Sequence, residues 1–141
     1  MSEMDKLFYL DTSIWLDIFE DRDEAKFPKS QIARALLSKI IKEDDRILCS
    51  DMNLAELQDL GYTEYEFNEL IKPFEQAIIF VDTEEKVIGR AKDISQKRNI
   101  PHLDTIHSII ARDNRAILIT WDKHFQQLRD IVEPHTPREF I

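Results

Sequence analysis

The clearest pattern in the chain is a run of apolar residues, Leu7–Leu10, that leads directly into the acid Asp11. An apolar run without alternation is typical of a strand buried on both faces, as in a parallel sheet. Thr12 and Ser13 follow, both of them residue types that favour a helix N-cap, and the apolar positions then take helical spacing. The pattern predicts a strand, an acid at its carboxyl end and a helix.

Short apolar runs alternate with helical spacing along the rest of the chain. Ser50 or Asp51 is predicted to cap one helix and Gly61 to stop it as a C′ residue. Thr63 and Glu66 are predicted to start the next helix as a capping box, and Asp82 with Glu85 to cap a longer one. This alternation predicts a three-layer α/β/α sandwich around a parallel sheet of four to five strands. The strands predicted after the first are at 47–49, 77–81, 116–120 and 131–132.

Length and composition restrict the class of protein. With 141 residues, 43% of them hydrophobic, the chain is expected to form one domain over residues 1–141 with a substantial core. Only 2 glycines are present, which excludes a GxGxxG loop and a P-loop. Cys49 is the single cysteine, so a buried, inert thiol is expected in place of a disulfide or a cysteine zinc cluster. Without a signal-peptide pattern or a membrane-length apolar run, the sequence predicts a cytoplasmic protein.

The charge balance argues against general affinity for nucleic acid. The chain has 19 basic and 28 acidic residues, a formal net charge of −9. A nuclease is still compatible with this balance, because acids that converge on divalent cations are locally neutralised. Basic residues concentrate in segments 86–98 and 112–129, where most are expected to lie on solvated helix faces.

Four acids stand where the predicted scaffold can bring them together. Asp11 ends the first strand and Asp122 follows the fourth, at the sheet edge where open α/β folds bind ligands. Glu56 lies in the helix after the second strand, and Asp104 in the first turn of the helix before the fourth. Each acid alone is ordinary, as a helix-terminal or surface charge. Together they would repel one another, so a cluster implies divalent cations, and oxygen-only ligands favour Mg²⁺ or Mn²⁺ over zinc.

Several short motifs occur in the order typical of one known family. They are Tyr9-Leu10-Asp11-Thr12-Ser13, the segment around Glu56, Leu103-Asp104-Thr105-Ile106-His107, the segment from Ile119 to Phe125, and the ending from Pro134 to Phe140. In this set and order the sequence resembles the PIN domain, a metal-dependent ribonuclease module, over nearly its whole length. The small single-domain form is similar to the VapC-type toxins of prokaryotic toxin–antitoxin pairs.

The resemblance implies roles for individual residues. Ser13 and Thr120 look like the polar residues that orient the acids, while Asp51 and Asp59 are alternatives to Glu56 on the same helix. The acids implied to bind the metal and to carry catalysis are Asp11, Glu56, Asp104 and Asp122.

The resemblance also implies a reaction and partners. The reaction is metal-assisted hydrolysis of RNA phosphodiester bonds with Mg²⁺ or Mn²⁺, and the partners are RNA and an antitoxin protein. A homodimer, or a groove that accepts an amphipathic partner segment, is expected as well, because the helices around Ile14 to Phe19 and Ile32 to Ile41 carry more large apolar residues than one core-facing stripe needs. No membrane association is expected.

Other interpretations of the same acids differ in what they require. A Mg²⁺-dependent phosphatase of the haloacid dehalogenase type needs a second acid two positions after Asp11, where this chain has Ser13. A response-regulator receiver could use Asp82 as its phospho-acceptor but needs an acid pair after the first strand, which is missing. A non-catalytic PIN-like module that binds RNA or protein stays open. The histidines lack zinc-site spacing, and His107 is expected to pack or hydrogen-bond beside the pocket.

Overall fold

The computed structural model describes residues 5–141, in which five parallel strands form one sheet. The strand order is β3-β2-β1-β4-β5, so β1 is central and has β2 on one side and β4 on the other. The carboxyl ends of β1 and β4 therefore meet where the direction of winding reverses, which is the usual ligand position in such folds. The strands are β1 Leu7–Leu10, β2 Arg46–Ser50, β3 Ile78–Val81, β4 Ile117–Ile119 and β5 Pro134–His135.

Helices cover both faces of this sheet, which confirms the predicted three-layer sandwich. No helix among residues 5–141 has the length and apolar character needed to cross a membrane. The α-helices are α1 Thr12–Phe19, α2 Lys29–Lys42, α3 Asp51–Asp59, α4 Glu64–Ile71, α5 Glu85–Arg98 and α6 His102–Asp113. Short 3₁₀ helices occupy Lys72–Ala77, Lys123–Leu128 and Pro137–Phe140.

Alternate residues of β1 contribute to two hydrophobic cores. Phe8 and Leu10 pack against α1, α2, α3 and α4 on one face, while Tyr9 packs against α5 and α6 on the other. Burial on both faces explains why the strand reads as an unbroken apolar run. Cys49 of β2 is fully buried, and burial raises the pKa of its thiol to about 12, so the predicted inert cysteine is confirmed.

The helix boundaries at α3 and α4 follow the predicted local chemistry. Ser50 caps α3 in a reciprocal box with Asn53, and Thr63 caps α4 in a box with Glu66. Between them Gly61 has a φ of +101°, a left-handed conformation that a residue with a Cβ rarely adopts. The two helices are therefore joined by a tight turn in which hydrogen bonds cap both helix ends.

The N-cap predicted at Asp82 is wrong. Helix α5 begins after Glu84, two residues later. The reason is a tertiary contact, because the Asp51 carboxylate accepts hydrogen bonds from the backbone N–H of Thr83 at 2.9 Å and from its hydroxyl at 2.5 Å. The segment before α5 is therefore fixed to the start of α3 and does not form a cap of its own.

The fifth strand predicted at 131–132 is also wrong, since β5 is Pro134–His135. Ile131 enters the core from a turn, with its N–H bonded to the Leu128 carbonyl at 2.9 Å. The sheet is extended three residues later, where the His135 carbonyl accepts a hydrogen bond from the Thr120 N–H at 2.8 Å. Ile131 is apolar because it faces the hydrophobic core, and a residue in a turn can do this as well as a residue in a strand. Apolarity alone therefore did not locate the strand.

The excess of apolar surface expected on α1 and α2 is largely absent. Ile14, Ile32 and Ile40 are buried, and Ile41 is the one large apolar residue of these helices that is clearly exposed within the described chain, at 46%. The other exposed large apolar residues lie mainly around α3, α4 and β3: Leu60, Tyr65, Leu70, Ile79 and Phe80.

Candidate active site

Asp11 stands at the junction of β1 and β4 and is 9% exposed. Its Oδ2 accepts hydrogen bonds from the hydroxyls of Ser13 at 3.0 Å and Thr120 at 2.9 Å. Its backbone N–H donates to the Ile119 carbonyl at 2.9 Å, which joins the ends of the two strands. Asp11 itself takes the N-cap position of α1, so the predicted capping role of Thr12 and Ser13 is wrong, and both hydroxyls bond to carboxylates instead.

Asp122 follows β4 and caps the next 3₁₀ helix. Its N–H donates to the Thr120 hydroxyl at 3.0 Å, so one threonine contacts two of the predicted acids. Its Oδ1 accepts from the His124 N–H at 2.9 Å and lies 2.8 Å from His124 Nδ1. Asp104 reaches the same place from the first turn of α6, and Asp104, Asp122 and His124 each offer one metal-ligand atom within 4.8 Å of the others.

The crowding of these acids affects their pKa values. Burial, followed by the charges of Asp122 and Asp11, raises the pKa of Asp104 to about 6, although His107 and His124 act in the opposite direction. Burial also raises the pKa of Asp11, against the effect of His107 and the two hydroxyl bonds. Three aspartates therefore share one partly buried space without enough positive charge to balance them.

Glu56 lies on α3 in a different environment. Its Oε1 accepts a hydrogen bond from the Thr12 hydroxyl at 2.7 Å and lies 2.6 Å from His107 Nε2. Burial would raise the pKa of this carboxyl, but the hydrogen bonds and charge from His107 and the bond from Thr12 hold it below its usual value. The ionised form of Glu56 is therefore stabilised by its own neighbours.

The contact between His107 and Glu56 belongs to a buried chain of polar groups. His107 is 1% exposed, and its Nδ1 lies 2.5 Å from the Tyr9 hydroxyl, which in turn lies 2.7 Å from the Ser50 hydroxyl. If Ser50 donates to Tyr9, Tyr9 to His107 Nδ1 and His107 Nε2–H to Glu56, every donor in the chain has an acceptor. The expectation that His107 hydrogen-bonds beside the pocket is confirmed.

The alternatives to Glu56 on α3 are directed elsewhere. Asp51 bonds to Thr83, as described above, and Asp59 is exposed at the last position of the helix. Asn53 fixes the orientation of α3 by donating from Nδ2 to the Leu10 carbonyl at 3.3 Å and to the Thr12 hydroxyl at 3.0 Å. Of the three acids considered on this helix, Glu56 is the one that bonds to residues next to Asp11.

Three of the four predicted acids share a pattern of hydrogen bonding. Asp11, Glu56 and Asp122 each use one carboxylate oxygen to accept bonds, while the other oxygen accepts none from residues 5–141. Asp104 accepts none with either oxygen from this part of the chain. A carboxylate with one fixed and one open oxygen is positioned and still able to bind a cation.

The structure thus brings the predicted acids to one edge of the sheet in two groups. Asp104 and Asp122 converge closely, and Asp11 acts on Asp104 through its charge. Glu56 is bonded to Thr12, the residue after Asp11, and its charge raises the pKa of Asp11. His124 was not predicted, and its position two residues after Asp122 in an exposed turn gave no signal of its own.

A parallel α/β sandwich with acids at the carboxyl edge of its sheet is an arrangement typical of metal-dependent nucleases, and a comparison with protein families identifies which one. The model of the PIN domain matches residues 8–131, and the chain belongs to the PIN-domain family. PIN domains are generally nucleases and generally use divalent metals, so membership supports an enzyme of this class. No curated protein matches the chain by sequence comparison.

Solved structures show the same fold at low sequence identity. VapBC2 from Rickettsia felis, bound to a promoter DNA fragment, is 18% identical with a TM-score of 0.65, over 92% of this chain and 98% of that one. VapBC-1 from nontypeable Haemophilus influenzae is 20% identical with a TM-score of 0.64, over 94% and 98%. A toxin–antitoxin complex from Klebsiella pneumoniae is 21% identical with a TM-score of 0.61, over 92% and 97%.

Proposed function

We propose that this protein is a Mg²⁺- or Mn²⁺-dependent endoribonuclease that acts as the toxin of a toxin–antitoxin pair, with residues 1–141 as one nuclease domain. The observation that carries the proposal is the set of open carboxylate oxygens at the edge of the sheet, described above for Asp11, Glu56 and Asp122. Membership of the PIN family supports the choice of a nuclease.

The residues present fit a divalent cation. Oxygen donors predominate, and the pKa of Asp104 is raised because burial and the charges of Asp122 and Asp11 outweigh those of His107 and His124, which favours a cation there. The metal-binding acids in this proposal are Asp11, Glu56, Asp104 and Asp122. A bound ion would supply Lewis-acid stabilisation of charge on a phosphate and would make a bound water more acidic.

The surrounding side chains have positioning roles in this proposal. Ser13 and Thr120 fix one oxygen of Asp11 and leave the other without a hydrogen bond from residues 5–141. Thr12 and His107 do the same for Glu56 from two different elements. Because these donors belong to β1, α1, α6 and the end of β4, the positions of the acids are set by the fold itself.

The direct test is cleavage of a mixed pool of single-stranded RNA, with Mg²⁺ or Mn²⁺ and with excess chelator. Cleavage in the presence of metal and none in chelator is the expected result. Cleavage that survives chelation would overturn the metal-dependent mechanism. A protein that binds neither Mg²⁺ nor Mn²⁺ in a calorimetric titration would instead favour a non-catalytic binding module.

The toxin assignment has separate support. The R. felis and H. influenzae neighbours are VapBC proteins, and the neighbour from K. pneumoniae is a toxin–antitoxin complex. An apolar groove of about 410 Å³, with Leu57, Phe67 and Phe80 among its lining residues, could accept an amphipathic segment of an antitoxin. The proposal predicts that expression of this chain alone arrests growth and that co-expression of a small protein encoded beside it relieves the arrest. Growth unaffected by expression would contradict it.

A homodimer is part of the same proposal. Ile79, 46% exposed, lies on the edge strand β3 outside that groove, where a second copy could cover it. Sedimentation of the purified chain should give the mass of a dimer, and Ile79→Ser should shift it toward a monomer. A strict monomer at high concentration would remove this part.

A further inference from the structure

A second cavity opens directly beside the acidic edge, on the side of β5. It has a volume of about 410 Å³, within the roughly 300–1,000 Å³ typical of small-molecule sites. It shares Thr120 and Asp122 with the acidic site. The rest of its wall comes from the α1–α2 loop, the turn after β4 and the segment around β5, and includes Phe27, Lys29, Trp121, Lys123 and His135.

Aromatic rings form a large part of this wall. The Phe27 and Trp121 rings meet edge to face, with centroids 4.7 Å apart and an interplanar angle of 78°. The indole N–H of Trp121 is shielded from solvent and has no hydrogen-bond partner among residues 5–141. Because this donor is shielded, the cavity wall offers an incoming ligand the aromatic surface of the two rings and not the indole N–H.

Positive charge lies close to the Phe27 ring, in a chain whose net charge is −9. Lys29 Nζ lies 5.4 Å and Arg138 Cζ lies 5.7 Å from the ring centroid. Lys29 also pairs with Glu24, another residue of the cavity wall, at 4.0 Å, whereas Lys123 in the same wall pairs with no carboxylate among the described residues. Aromatic rings beside a lysine that can contact a phosphate indicate a ligand that has an aromatic group and a negative charge.

We propose that this cavity, the Trp121 pocket, binds one unpaired nucleobase of the RNA next to the phosphate held at the acidic edge, with Lys29 and Lys123 close to the flanking backbone. Unpaired bases are recognised by stacking on aromatic side chains and by cations that follow the backbone. Because the cavity shares Thr120 and Asp122 with the acidic edge, a base bound in it would lie next to a phosphate bound at that edge. The proposal rests on the ribonuclease function and adds to it a determinant of substrate preference.

The pocket can be tested without catalysis. A fluorescein-labelled, mixed-sequence RNA hexamer is titrated with the full-length protein in excess chelator at low salt, and binding is followed by anisotropy. Loss of one base stack, worth about 1–3 kcal/mol, corresponds to an affinity loss of roughly 5- to 150-fold for Trp121→Ala. Trp121→Phe, which retains a ring, should stay within a few-fold of wild type.

The matched control removes an aromatic ring far from the pocket. Tyr65→Ala, at a side chain that is 71% exposed on α4, should bind the hexamer like wild type. Lys123→Ala changes an exposed residue and should fold normally, so it provides a second variant. It should weaken binding and reduce the slope of log affinity against log salt by about one.

The outcomes separate the two proposals. If wild type cleaves RNA while folded Trp121→Ala and Lys123→Ala bind the hexamer and cleave with wild-type affinity and KM, the pocket is wrong and the ribonuclease stands. If the hexamer binds through Trp121 but no metal supports cleavage, the ribonuclease is wrong and a nucleobase pocket stands. Equal binding by wild type and both pocket variants overturns the inference in either case.

Discussion

Glu56 and Asp104, two carboxylates of the candidate site, differ in how far neighbouring groups stabilise their negative charge. Glu56 accepts bonds from Thr12 and His107, and its pKa lies below the usual value. Asp104 accepts no hydrogen bond from residues 5–141, and burial with two neighbouring charges raises its pKa to about 6. The acids lie on α3 and α6, which approach Asp11 from different sides of the sheet's edge.

This difference separates what the fold completes by itself from what it leaves to a ligand. On the Glu56 side, one carboxylate oxygen is held by Thr12 and His107, and these bonds contribute to stability in the absence of metal. On the Asp104 side, repulsion between carboxylates lowers the free energy of unfolding, and a bound divalent cation would remove that repulsion. Substitutions on the two sides should therefore have opposite effects on stability.

The largest expected effect follows removal of the uncompensated charge by Asp104→Asn. Cleavage of RNA should fall on the order of 100-fold or more, because the neutral amide oxygen of Asn binds a divalent cation more weakly than a carboxylate does. Without metal, the variant should melt at the wild-type temperature or a few degrees above it, since repulsion worth about 1 kcal/mol after screening is relieved. Its melting temperature should rise less than that of wild type when Mg²⁺ is added. A destabilised variant that still cleaves RNA would show that Asp104 is only a helix-terminal charge.

On the other side of the comparison, His107→Ala should destabilise the protein by about 2–3 kcal/mol. It leaves Glu56 and Tyr9 without their shared partner and opens a small cavity between α6 and β1. Tyr9→Phe keeps the ring and removes only the hydroxyl, so it should cost about 1 kcal/mol. Chemical denaturation of the three proteins measures the difference. A His107→Ala variant as stable as wild type would mean that the buried polar chain does not stabilise the fold.

The pH dependence of stability sharpens the comparison further. The pKa of Asp104 is about 6 in the folded protein and near 3.9 in an unfolded chain. Between pH 7 and pH 5 the folded state therefore takes up a proton that the unfolded state does not, which makes wild type more stable as the pH falls. Asp104→Asn lacks this gain, so its advantage in melting temperature without metal should shrink from pH 7 to pH 5. An advantage that stays constant or grows would contradict the assignment.

The smallest effect is expected at Asp59, which gives the control for the change in net charge. Asp59→Asn makes the same chemical change as Asp104→Asn at an exposed position on α3. Its stability should remain within about 0.5 kcal/mol of wild type, and its cleavage rate and Mg²⁺ response should be unchanged. A clear rise in stability here would show that the effect at Asp104 is a general consequence of the acidic composition.

The sequence was sufficient for those parts of the fold that depend on local chemistry. The apolar run of β1 and the caps at Ser50 and Thr63 each involve only a few consecutive residues. The position of Asp11 at the end of β1 followed directly from that apolar run. The cap predicted at Asp82 failed because Thr83 bonds to Asp51, 32 residues away. Such a contact depends on how two elements pack, which a local pattern does not record.

The candidate site divides in the same way. The four acids were predicted from their positions in the chain and the family resemblance. The hydrogen bond between Tyr9 of β1 and His107 of α6 joins residues that are 98 positions apart in the sequence, so no local spacing indicated it. His124 and the Trp121 pocket depend on the path of an exposed turn, where neither periodicity nor capping constrains the sequence.

The buried thiol of Cys49 makes it possible to measure how often the folded protein opens. Thiol reagents react with the thiolate, and the folded state both shields this sulfur and holds it protonated at neutral pH. Cys49 is the only cysteine in the chain, so each modified molecule records one passage through an open state. The labelling rate at rising reagent concentration would therefore report how often β2 separates from its neighbours, without any engineered probe.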